Sequence, residues 1–472
     1  MKANLKYLLV AAGVISVGWG ASSAHATNGM NLEGYGARAH AMGGAASGYD
    51  SGNSAIMNNP ATLSLWEGKQ RVGVGLRMLG PDVDAESTAS SAAFAKSDGD
   101  AYFMPSFSYM RNSGKFTYGF GVIAQGGMGT EYAAGNTLFA QGRNTAAALV
   151  DLSGLEQRSE LSVGRAVLPL SYRVNEKLNV AASVDFVWMG LDLKMDLDGA
   201  NFAAMATAGT ASGALATNAF AASGGDIDYG RFDFSDGNDF TGEAKGYGAG
   251  FKLGATYQLT NAVTLGLSYH SKTAMEDLST EGATVYLFED GGAINQTIPG
   301  TITVKDFEWP QKATLGAAYQ FNKKLMLVGD VSWIDWSNTM KDFKMEFVAN
   351  STNATYAGQA MNVTLEQNWK DQYVLSLGAE YALTDQWRIR GGANIGNNPV
   401  PNDYLSILFP ATVTNHITGG FGYTFANGGQ INAAVAYAPG TDNVATGNVN
   451  TDSDVKLSHG QYNWSLNYSY DF

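Results

Sequence analysis

The segment "FKLGATYQLTNAVTLGLSY" (251–269) decides the fold, because it alternates apolar and polar residues on both sides of a short turn. Every second residue is apolar from Phe251 to the turn at Thr260 and Asn261, and again from the turn to Tyr269. Successive side chains of a β-strand point to opposite faces, so this pattern gives each strand one apolar face. The segment therefore predicts a β-hairpin with a short polar turn.

The same pattern of an aromatic residue, a short polar turn and renewed alternation recurs at uneven intervals. The related segments are "YMRNSGKFTY" from Tyr109, "YRVNEKLNV" (172–180), "YQFNKKLML" (319–327), "YALTDQWRI" (381–389) and "YTFANGGQI" (423–431). Six hairpins provide twelve strands, and a first strand at "QRVGVGLRML" (70–79) and a last strand bring the predicted total to fourteen. The uneven intervals predict short turns on one side and long loops on the other, near 81–100, 128–155, 197–242, 275–299, 346–362, 397–412 and 439–458.

Strands with one apolar face fit either a soluble sandwich or a membrane barrel. The strands span roughly ten residues, which is the length that crosses a bilayer. The face opposite the apolar one carries Gly, Ser, Thr, Asn and charged residues, which would make a poor sandwich core. The last strand "QYNWSLNYSYDF" (461–472) alternates and ends on Phe472, and this resembles the targeting signal of bacterial outer-membrane barrels. We therefore predict an all-β, 14-stranded antiparallel transmembrane barrel with short periplasmic turns.

Composition narrows the class of protein further. Residues 1–26 read as a signal peptide, with Lys2 and Lys6, an apolar stretch (7–19) and an "AHA" cleavage site (24–26). There is no Cys among the 472 residues, which excludes disulfides and thiolate metal sites. The formal charge of −14 argues against a nucleic-acid partner. We expect an exported chain that sits in the bacterial outer membrane as a monomer.

Residues 27–68 precede the barrel (69–472) and do not alternate. They read "TNGMNLEGYGARAHAMGGAASGYDSGNSAIMNNPATLSLWEG". One interpretation is a disordered tail, but the segment carries many apolar side chains that water would not solvate well. The lumen of a fourteen-stranded barrel is wider than its own side chains can fill. We therefore predict a compact plug, or hatch, inside the barrel.

"NNPATLSLW" (58–66) resembles the hatch motif of the FadL family of outer-membrane transporters for long-chain fatty acids and other hydrophobic compounds, at Asn59, Pro60 and Ala61. "YGFGVIAQGGMGTEY" (118–132) looks like the third strand of that family, and 369–403 looks like its later strands. The resemblance implies a hatch-plugged barrel that takes up hydrophobic ligands by diffusion. It also implies release of the ligand sideways, through an opening made by a kinked third strand.

Candidate ligand-binding residues follow from the alternation together with the resemblance. In 178–191 the inward residues change from polar to apolar toward the outer end, at Val187, Met189 and Leu191, and Trp336 repeats this on another strand. A carboxylate ligand shielded from water needs a cationic partner. Four cations are candidates: Arg388 and Arg390, which alternation points inward, and Lys194 and Lys344, which lie near family positions. Alternatively, these bases pair with inward acidic residues and are structural.

Three glycines follow an alternating strand in the stretch that looks like the third strand: Gly126, Gly127 and Gly129. Glycine weakens a strand and permits a bulge or bend. The resemblance makes these glycines the expected lateral gate, and an ordinary exit from strand to loop is the alternative.

We expect passive uptake of long-chain fatty acids or similar hydrophobic molecules, with membrane lipid receiving them. Neutral aromatic hydrocarbons are the alternative ligands. An outer-membrane lipase and a general porin are less consistent with the sequence. We expect no enzymatic activity, no catalytic residue, no cofactor and no metal, although acidic loop segments (233–239 and 451–454) could bind calcium weakly.

Overall fold

The computed structural model describes residues 28–140, 143–144, 149–150, 152–223, 226–238, 241–289, 295–445 and 455–472. The predicted signal peptide (1–26) and the acidic segment 451–454 lie outside these residues. None of the described helices is long and apolar enough to span a membrane.

Most of the described chain forms β-strands. In chain order they are β1 (Gln70–Leu79), β2 (Pro81–Ser87), β3 (Ser90–Lys96), β4 (Tyr102–Ser113), β5 (Phe116–Tyr132), β6 (Arg143–Asn144), β7 (Leu149–Val150), β8 (Gln157–Arg173), β9 (Leu178–Asp198), β10 (Ala211–Ser212), β11 (Tyr229–Phe234), β12 (Ala244–Gln258), β13 (Val263–His270), β14 (Ala274–Met275), β15 (Leu278–Ser279), β16 (Ala283–Phe288), β17 (Asn295–Lys305), β18 (Lys312–Gln320), β19 (Leu325–Ile334), β20 (Asp342–Ala349), β21 (Ala360–Glu366), β22 (Gln372–Ala382), β23 (Trp387–Gly396), β24 (Asn415–Thr424), β25 (Gly429–Ala445) and β26 (Val455–Asp471).

The helical elements are short. Two α-helices lie near the N-terminus and two follow β9; they are α1 (Ala37–His40), α2 (Ala55–Asn58), α3 (Gly199–Ala208) and α4 (Ala214–Ala222). Short 3₁₀ helices occupy Gly52–Ser54, Pro60–Leu65, Trp336–Asn338 and Asn402–Tyr404.

The strands form a closed antiparallel barrel, but the predicted count of fourteen is wrong. Among the described residues the closed ring of hydrogen-bonded strands has 18 members. In ring order they are β1, β4, β5, β8, β9, β11, β16, β17, β15, β12, β13, β18, β19, β22, β23, β24, β25 and β26, which pairs with β1 again.

The extra strands enter the ring between β9 and β12. These two strands pair directly from Leu178 opposite Tyr257 up to Leu191 opposite Ala244, and above that level β9 pairs with β11 instead. Segments 197–242 and 275–299, which the pattern of short turns predicts as loops, contain most of these extra strands. Extended backbone in a water-poor interior must find hydrogen-bond partners, so these outer segments pair with one another and add strands.

The membrane-level part of the barrel shows the alternation that the sequence predicts. Apolar side chains point outward and are exposed, for example Leu168 (62%), Val184 (65%), Leu315 (62%) and Val435 (61%). Their neighbours in the strands point into the lumen and are buried, many of them polar, as with Asn179, Ser183 and Asp185 on β9. This outward band is the surface that lipid tails would cover.

The outer part of the barrel is covered on both faces. From Met189 to Leu197 nearly every residue of β9 is buried, whichever face it occupies. A single large apolar cluster occupies this region and includes Phe202 of α3, Leu215 of α4 and Phe232 of β11. The region is therefore a folded cap with its own core, and alternation along a strand no longer separates lumen from exterior there.

The residues that precede β1 pack inside the barrel, and residues 28–68 are called the hatch segment below. Three separate apolar clusters join this segment to the wall; they contain Leu32 with Met110, Met42 with Val328, and Ala41 with Ala434. Because the wall partners lie on β4, β19 and β25, the hatch segment contacts widely separated parts of the ring.

The outward face gives a direct test of the membrane-level band. We expect Val184→Arg to lower the free energy of unfolding from lipid vesicles by about 2–4 kcal/mol, because a charged side chain would replace an apolar one in hydrocarbon. Val184→Leu is the matched control and should change the stability little. Equal stabilities for the two variants, measured by denaturant titration in vesicles, would contradict the placement of Val184 in lipid.

Candidate ligand pathway

Charged residues fasten the hatch segment to the barrel wall. Glu33 pairs with Arg77 of β1 and, at 2.8 Å, with the Nε2 atom of His40. Burial alone would raise the pKa of the Glu33 carboxyl, but the positive charge of Arg77 and the contact with His40 hold this pKa well below its usual range. Burial and Arg77 lower the pKa of the His40 ring. We infer an ionised Glu33 paired mainly with Arg77.

The predicted ligand cations Arg388 and Arg390 share one carboxylate with the hatch segment. The Glu380 carboxylate lies 2.7 Å from Arg390 Nε, 3.1 Å from Arg38 Nε and 3.7 Å from Arg388 Nε. Arg390 also donates to the Oδ1 atom of Asn432 at 2.9 Å. All three arginines meet just inside the periplasmic turn between β22 and β23. The contacts of Arg388 and Arg390 are thus those of bases paired with an inward acidic residue. A role for these arginines in ligand binding stays a prediction.

The predicted lysines lie elsewhere and are also paired. Lys194 Nζ lies 2.9 Å from Glu156, and Lys344 Nζ lies 3.3 Å from Asp306 in an exposed hairpin. Both lie in the outer part of the protein, where β9 pairs with β11 and β17 pairs with β20. The structure therefore does not bring the two lysines together with the two arginines, and their ligand role also stays a prediction.

The predicted apolar residues do lie together in the cap core. Val187, Met189, Leu191 and Trp336 are all buried members of the same cluster. Trp336 is in a 3₁₀ turn just after β19, and its ring packs edge-to-face against Trp309 and Trp369, with centroids 5.8 and 5.3 Å away. The three indoles and the neighbouring methionines line the lower end of the apolar region.

The predicted gate glycines lie where β5 departs from regular pairing. The register between β5 and β8 shifts between Ala124 and Gly126, which marks a β-bulge at Gln125. A methyl group at Gly126 would lie 2.2 Å from the Met30 carbonyl oxygen, and one at Gly129 would lie 2.5 Å from the Tyr102 hydroxyl. At Gly127 it would lie 2.3 Å from the Leu161 carbonyl oxygen. Each glycine permits a close approach that a larger residue would prevent.

An interruption in the wall lies on the other side of β5. β5 pairs with β4 only as far as Ile123 opposite Ser106, among the residues that the structure describes. Farther out, the next backbone contact to β5 on this side is from Asp98 N–H to the Glu131 carbonyl oxygen, at 2.7 Å. Between these two points the hatch segment approaches from inside: Asn31 bridges to Gly126, and Gly127 N–H donates to Met30 at 3.2 Å.

The Asn-Pro-Ala motif attaches another part of the hatch segment to the barrel wall. Asn59 caps the turn that begins at Pro60, since its side chain accepts from Ala61 N–H at 3.1 Å. The same side chain donates to the carbonyl oxygen of Ser47 at 2.9 Å and to that of Ala255 on β12 at 3.2 Å. The motif therefore holds two parts of the hatch segment together and attaches them to the wall.

A small polar cavity lies between the hatch segment and the wall, below the tryptophans. Its lining includes Glu33, Asn58, His270, Lys312 and Asp330. Asp330 holds the hatch by accepting from Ala46 N–H and Ser47 N–H at 2.7 and 3.0 Å. Lys312 forms no ion pair with another described side chain. Lys312 is not among the cations predicted from the sequence, although the alternation that makes Leu315 outward also makes Lys312 inward.

A second buried group of charges lies behind the bulge in β5. Asp185 pairs with Lys252 and, at 2.8 Å, with Arg165, while Arg165 also donates to the side chain of Gln125. Two basic side chains therefore share one carboxylate beside the bulge. Alternation placed these side chains inward, but it could not give their partners.

No group of three or more acidic or histidine side chains is placed to hold a metal ion in the described part of the chain. The acidic segment 233–239 is described only as far as 238. Calcium binding by these loops stays untested.

Comparisons with known proteins agree on one group. The family model "Outer membrane protein transport protein (OMPP1/FadL/TodX)" matches residues 15–472. The chain resembles the crystal structure of the Pseudomonas putida toluene transporter TodX, with a TM-score of 0.80, 30% sequence identity and coverage of 94% of this chain and 99% of TodX.

Two curated proteins are also similar. The long-chain fatty acid transport protein of Escherichia coli K12 is 22% identical over 424 residues, which are 88% of this chain and 84% of that protein. An uncharacterized protein of Chlorobium limicola is 59% identical over 69 residues, a match that spans 14% of this chain and 34% of that protein.

The shared carboxylate of Glu380 gives a test of how the hatch segment is held. We expect Glu380→Gln to speed amide hydrogen exchange in residues 37–50, because three arginines would lose their common counter-charge. Glu308→Gln removes an exposed partner of Lys272 and is the matched control. Unchanged exchange in Glu380→Gln would show that the other hatch contacts suffice.

Proposed function

Because the chain belongs to the OMPP1/FadL/TodX family of outer-membrane transport proteins, we propose that it lets hydrophobic molecules cross the outer membrane passively and releases them sideways at β5. The barrel closes on itself, so a single chain forms the whole wall, and we propose that it works as a monomer. Proteins of this family are transport channels, and the chain resides in the outer membrane.

The observation that carries the proposal is the interruption between β4 and β5. At the interruption the facing edges of β4 and β5 do not pair with each other. The hatch residues Met30 and Asn31 lie on its inner side. An unpaired strand edge in hydrocarbon is costly, so it persists only where something else covers it. A hatch contact that separates and re-forms would open a passage from the lumen to the lipid phase.

The polar cavity supports a sideways exit over a downward one. Below the three tryptophans the lumen is lined by charged and amide side chains, and the hatch segment is fastened through Asp330, Glu380 and Arg77. Moving an apolar molecule through this polar layer would cost the transfer free energy that drove it into the apolar region. The interruption at β5 lies at the boundary between the two layers.

Neutral aromatic hydrocarbons are the ligand class that the geometry favours. The apolar region ends on Trp309, Trp336 and Trp369, and aromatic ligands pack favourably against indole rings. The predicted ligand cations are already paired with carboxylates. The similarity to a toluene transporter supports the same class.

Long-chain fatty acids are the second candidate, and Lys312 favours them. This lysine faces the polar cavity without an ion-pair partner among the described side chains, while the tryptophans lie just above. A carboxylate on Lys312 would leave an alkyl chain in the apolar region. The similarity to a long-chain fatty acid transport protein supports this class.

The sideways exit is testable with a reversible cross-link, because the chain has no Cys of its own. Asn31 and Gly126 are directly paired, and residues opposite each other in an antiparallel pair are about 4.5–5.5 Å apart, within reach of a disulfide. We expect oxidised Asn31→Cys/Gly126→Cys to take up less toluene into proteoliposomes than the same variant after reduction. The reduced variant is the reference, because any side chain at Gly126 presses against the Met30 carbonyl oxygen.

The two single-cysteine variants show whether the substitutions themselves disturb uptake. Full uptake by the oxidised double variant, with the disulfide verified by mass spectrometry, would exclude an exit that requires separation of the hatch segment from β5.

Ligand class is tested separately at Lys312. A charge-assisted hydrogen bond contributes about 1.5–3 kcal/mol, so Lys312→Met should weaken fatty-acid binding by roughly ten- to a hundredfold. Toluene binding should not change, because a neutral ring needs no cation. Lys323→Met, which removes an exposed lysine in the turn between β18 and β19, is the control. Equal fatty-acid affinity for wild type and Lys312→Met in titration calorimetry would remove the second candidate.

A further inference from the structure

The short turns at the periplasmic end of the barrel differ in charge. The turns between β12 and β13 (259–262) and between β24 and β25 (425–428) contain no charged residue. The segment before β1, the ends of β4 and β8 and the turns that follow them carry five bases, called the basic rim below: Lys69, Arg111, Lys115, Arg173 and Lys177. Glu67 and Glu176 are the acidic residues of these segments. The segments therefore have an excess of three positive charges, although the whole chain carries a formal charge of −14.

The basic rim occupies one continuous arc of the ring. Its members lie on or beside β1, β4, β5, β8 and β9, which follow one another in the ring. Backbone hydrogen bonds join its segments: the carbonyl oxygen of Lys69 accepts from Asn112 N–H at 2.9 Å, and that of Lys115 accepts from Arg173 N–H at 2.8 Å. The turn between β4 and β5 lies in the middle of the arc. The basic rim is therefore at the periplasmic end of the two strands that separate farther out.

The charges of the basic rim have no counter-charge in direct contact. Four of its members are exposed, and the half-buried Arg173 donates to the Ser64 carbonyl oxygen of the hatch segment at 2.6 Å. In the part of the chain that the structure describes, none of the five forms an ion pair with another side chain. The basic rim is thus available to an anion from outside the chain.

Lysines at the outer end of the protein are mostly neutralised by the chain itself. Five of them pair with a neighbouring carboxylate: Lys96, Lys272, Lys305, Lys344 and Lys456. Lys341 and Lys370 are exposed and have no such partner among the described side chains. The two ends of the barrel therefore differ, because most outer lysines have their counter-charge within the chain and the basic rim does not.

Aromatic residues place the basic rim at the membrane interface. Arg111 shares the outward face of β4 with the exposed Phe103 and Phe107 and lies one step beyond Tyr109 on that face. It also lies opposite Tyr118 of β5, which is exposed. Aromatic girdles mark the two edges of the apolar band in bacterial barrels. Residues on one face of a strand follow each other at about 6.6 Å, so the long side chain of Arg111 reaches the headgroups.

We propose that the basic rim binds anionic phospholipid headgroups of the inner leaflet at the periplasmic end of β5. Arginine and lysine are the side chains that bind phosphate groups, and bases close to a membrane surface attract anionic lipids. A lipid is a better partner than an acidic protein because Arg111 lies on the lipid-facing side of β4, beside outward aromatic rings. This binding is a property of the outer surface of the barrel and does not depend on the proposed uptake.

Fluorescence quenching by brominated lipids tests the proposal, because the chain has no Cys and accepts a single label. Ser113→Cys carries a bimane label on the exposed outward face between Arg111 and Lys115, and Asn261→Cys carries it in the uncharged turn between β12 and β13. The vesicles contain brominated phosphatidylglycerol or brominated phosphatidylcholine at the same mole fraction. We expect phosphatidylglycerol to associate several-fold more strongly than phosphatidylcholine at position 113 and equally at position 261. Salt at 1 M should reduce the preference, because it screens exposed charges.

A quadruple variant removes the exposed charges of the basic rim: Lys69→Gln/Arg111→Gln/Lys115→Gln/Lys177→Gln. It should abolish the preference at position 113, whereas Lys323→Gln/Lys324→Gln, in the exposed turn between β18 and β19, should preserve it. All six side chains are exposed, so we expect both variants to fold.

Three results would overturn the proposal. They are equal association of the two lipids at position 113, the same preference at position 261, or a preference that survives in the quadruple variant. Toluene uptake is measured on the same vesicles. Loss of uptake with the lipid preference intact would count against the proposed function alone, and normal uptake without the preference would count against the lipid site alone.

Discussion

Backbone hydrogen bonding in a medium without water is the constraint on which the structure depends. Every N–H and C=O group at membrane depth needs a partner within the protein, and a closed antiparallel ring supplies one for each. The stretch where β4 and β5 separate would violate this rule if nothing covered it. The hatch residues Met30 and Asn31 supply backbone partners to β5 there. The same contact therefore completes the wall and covers its opening.

Alternation of apolar and polar residues predicts most of the membrane-level strands, because lipid and lumen impose opposite preferences on neighbouring residues. The hairpin at 251–269 forms as β12 and β13, and the first strand at 70–79 forms as β1. The pattern fails above Met189, where both faces of β9 are buried in the cap. The four strands inserted between β9 and β12 went uncounted for the same reason: outside the membrane no fixed strand length or exposed face marks them.

Less of the candidate site than of the fold can be predicted from the sequence. Alternation gives the face on which a side chain lies, and it placed Arg390 and Glu380 inward, but it cannot say that the two would meet at 2.7 Å. Partners such as Arg38 and Glu380 are distant along the chain and come together only through the hatch segment. Lys312 follows the same alternation as its neighbours. Extending the pattern three residues from Leu315 toward the N-terminus is enough to predict that Lys312 points inward.

The partners of the hatch segment are spread over the entire chain, and some are at its extreme end. Ala37 N–H donates to Asn467, and Arg71 joins Asp50 of the hatch to Asp471 in the last strand. The hatch is synthesised first, yet the strand that completes its seat is synthesised last. The hatch can contact β4, β12 and β19 before the ring closes, and β26 then supplies its last contacts. A cell that builds this barrel would thus not pass through a stage in which an open pore breaches its outer membrane.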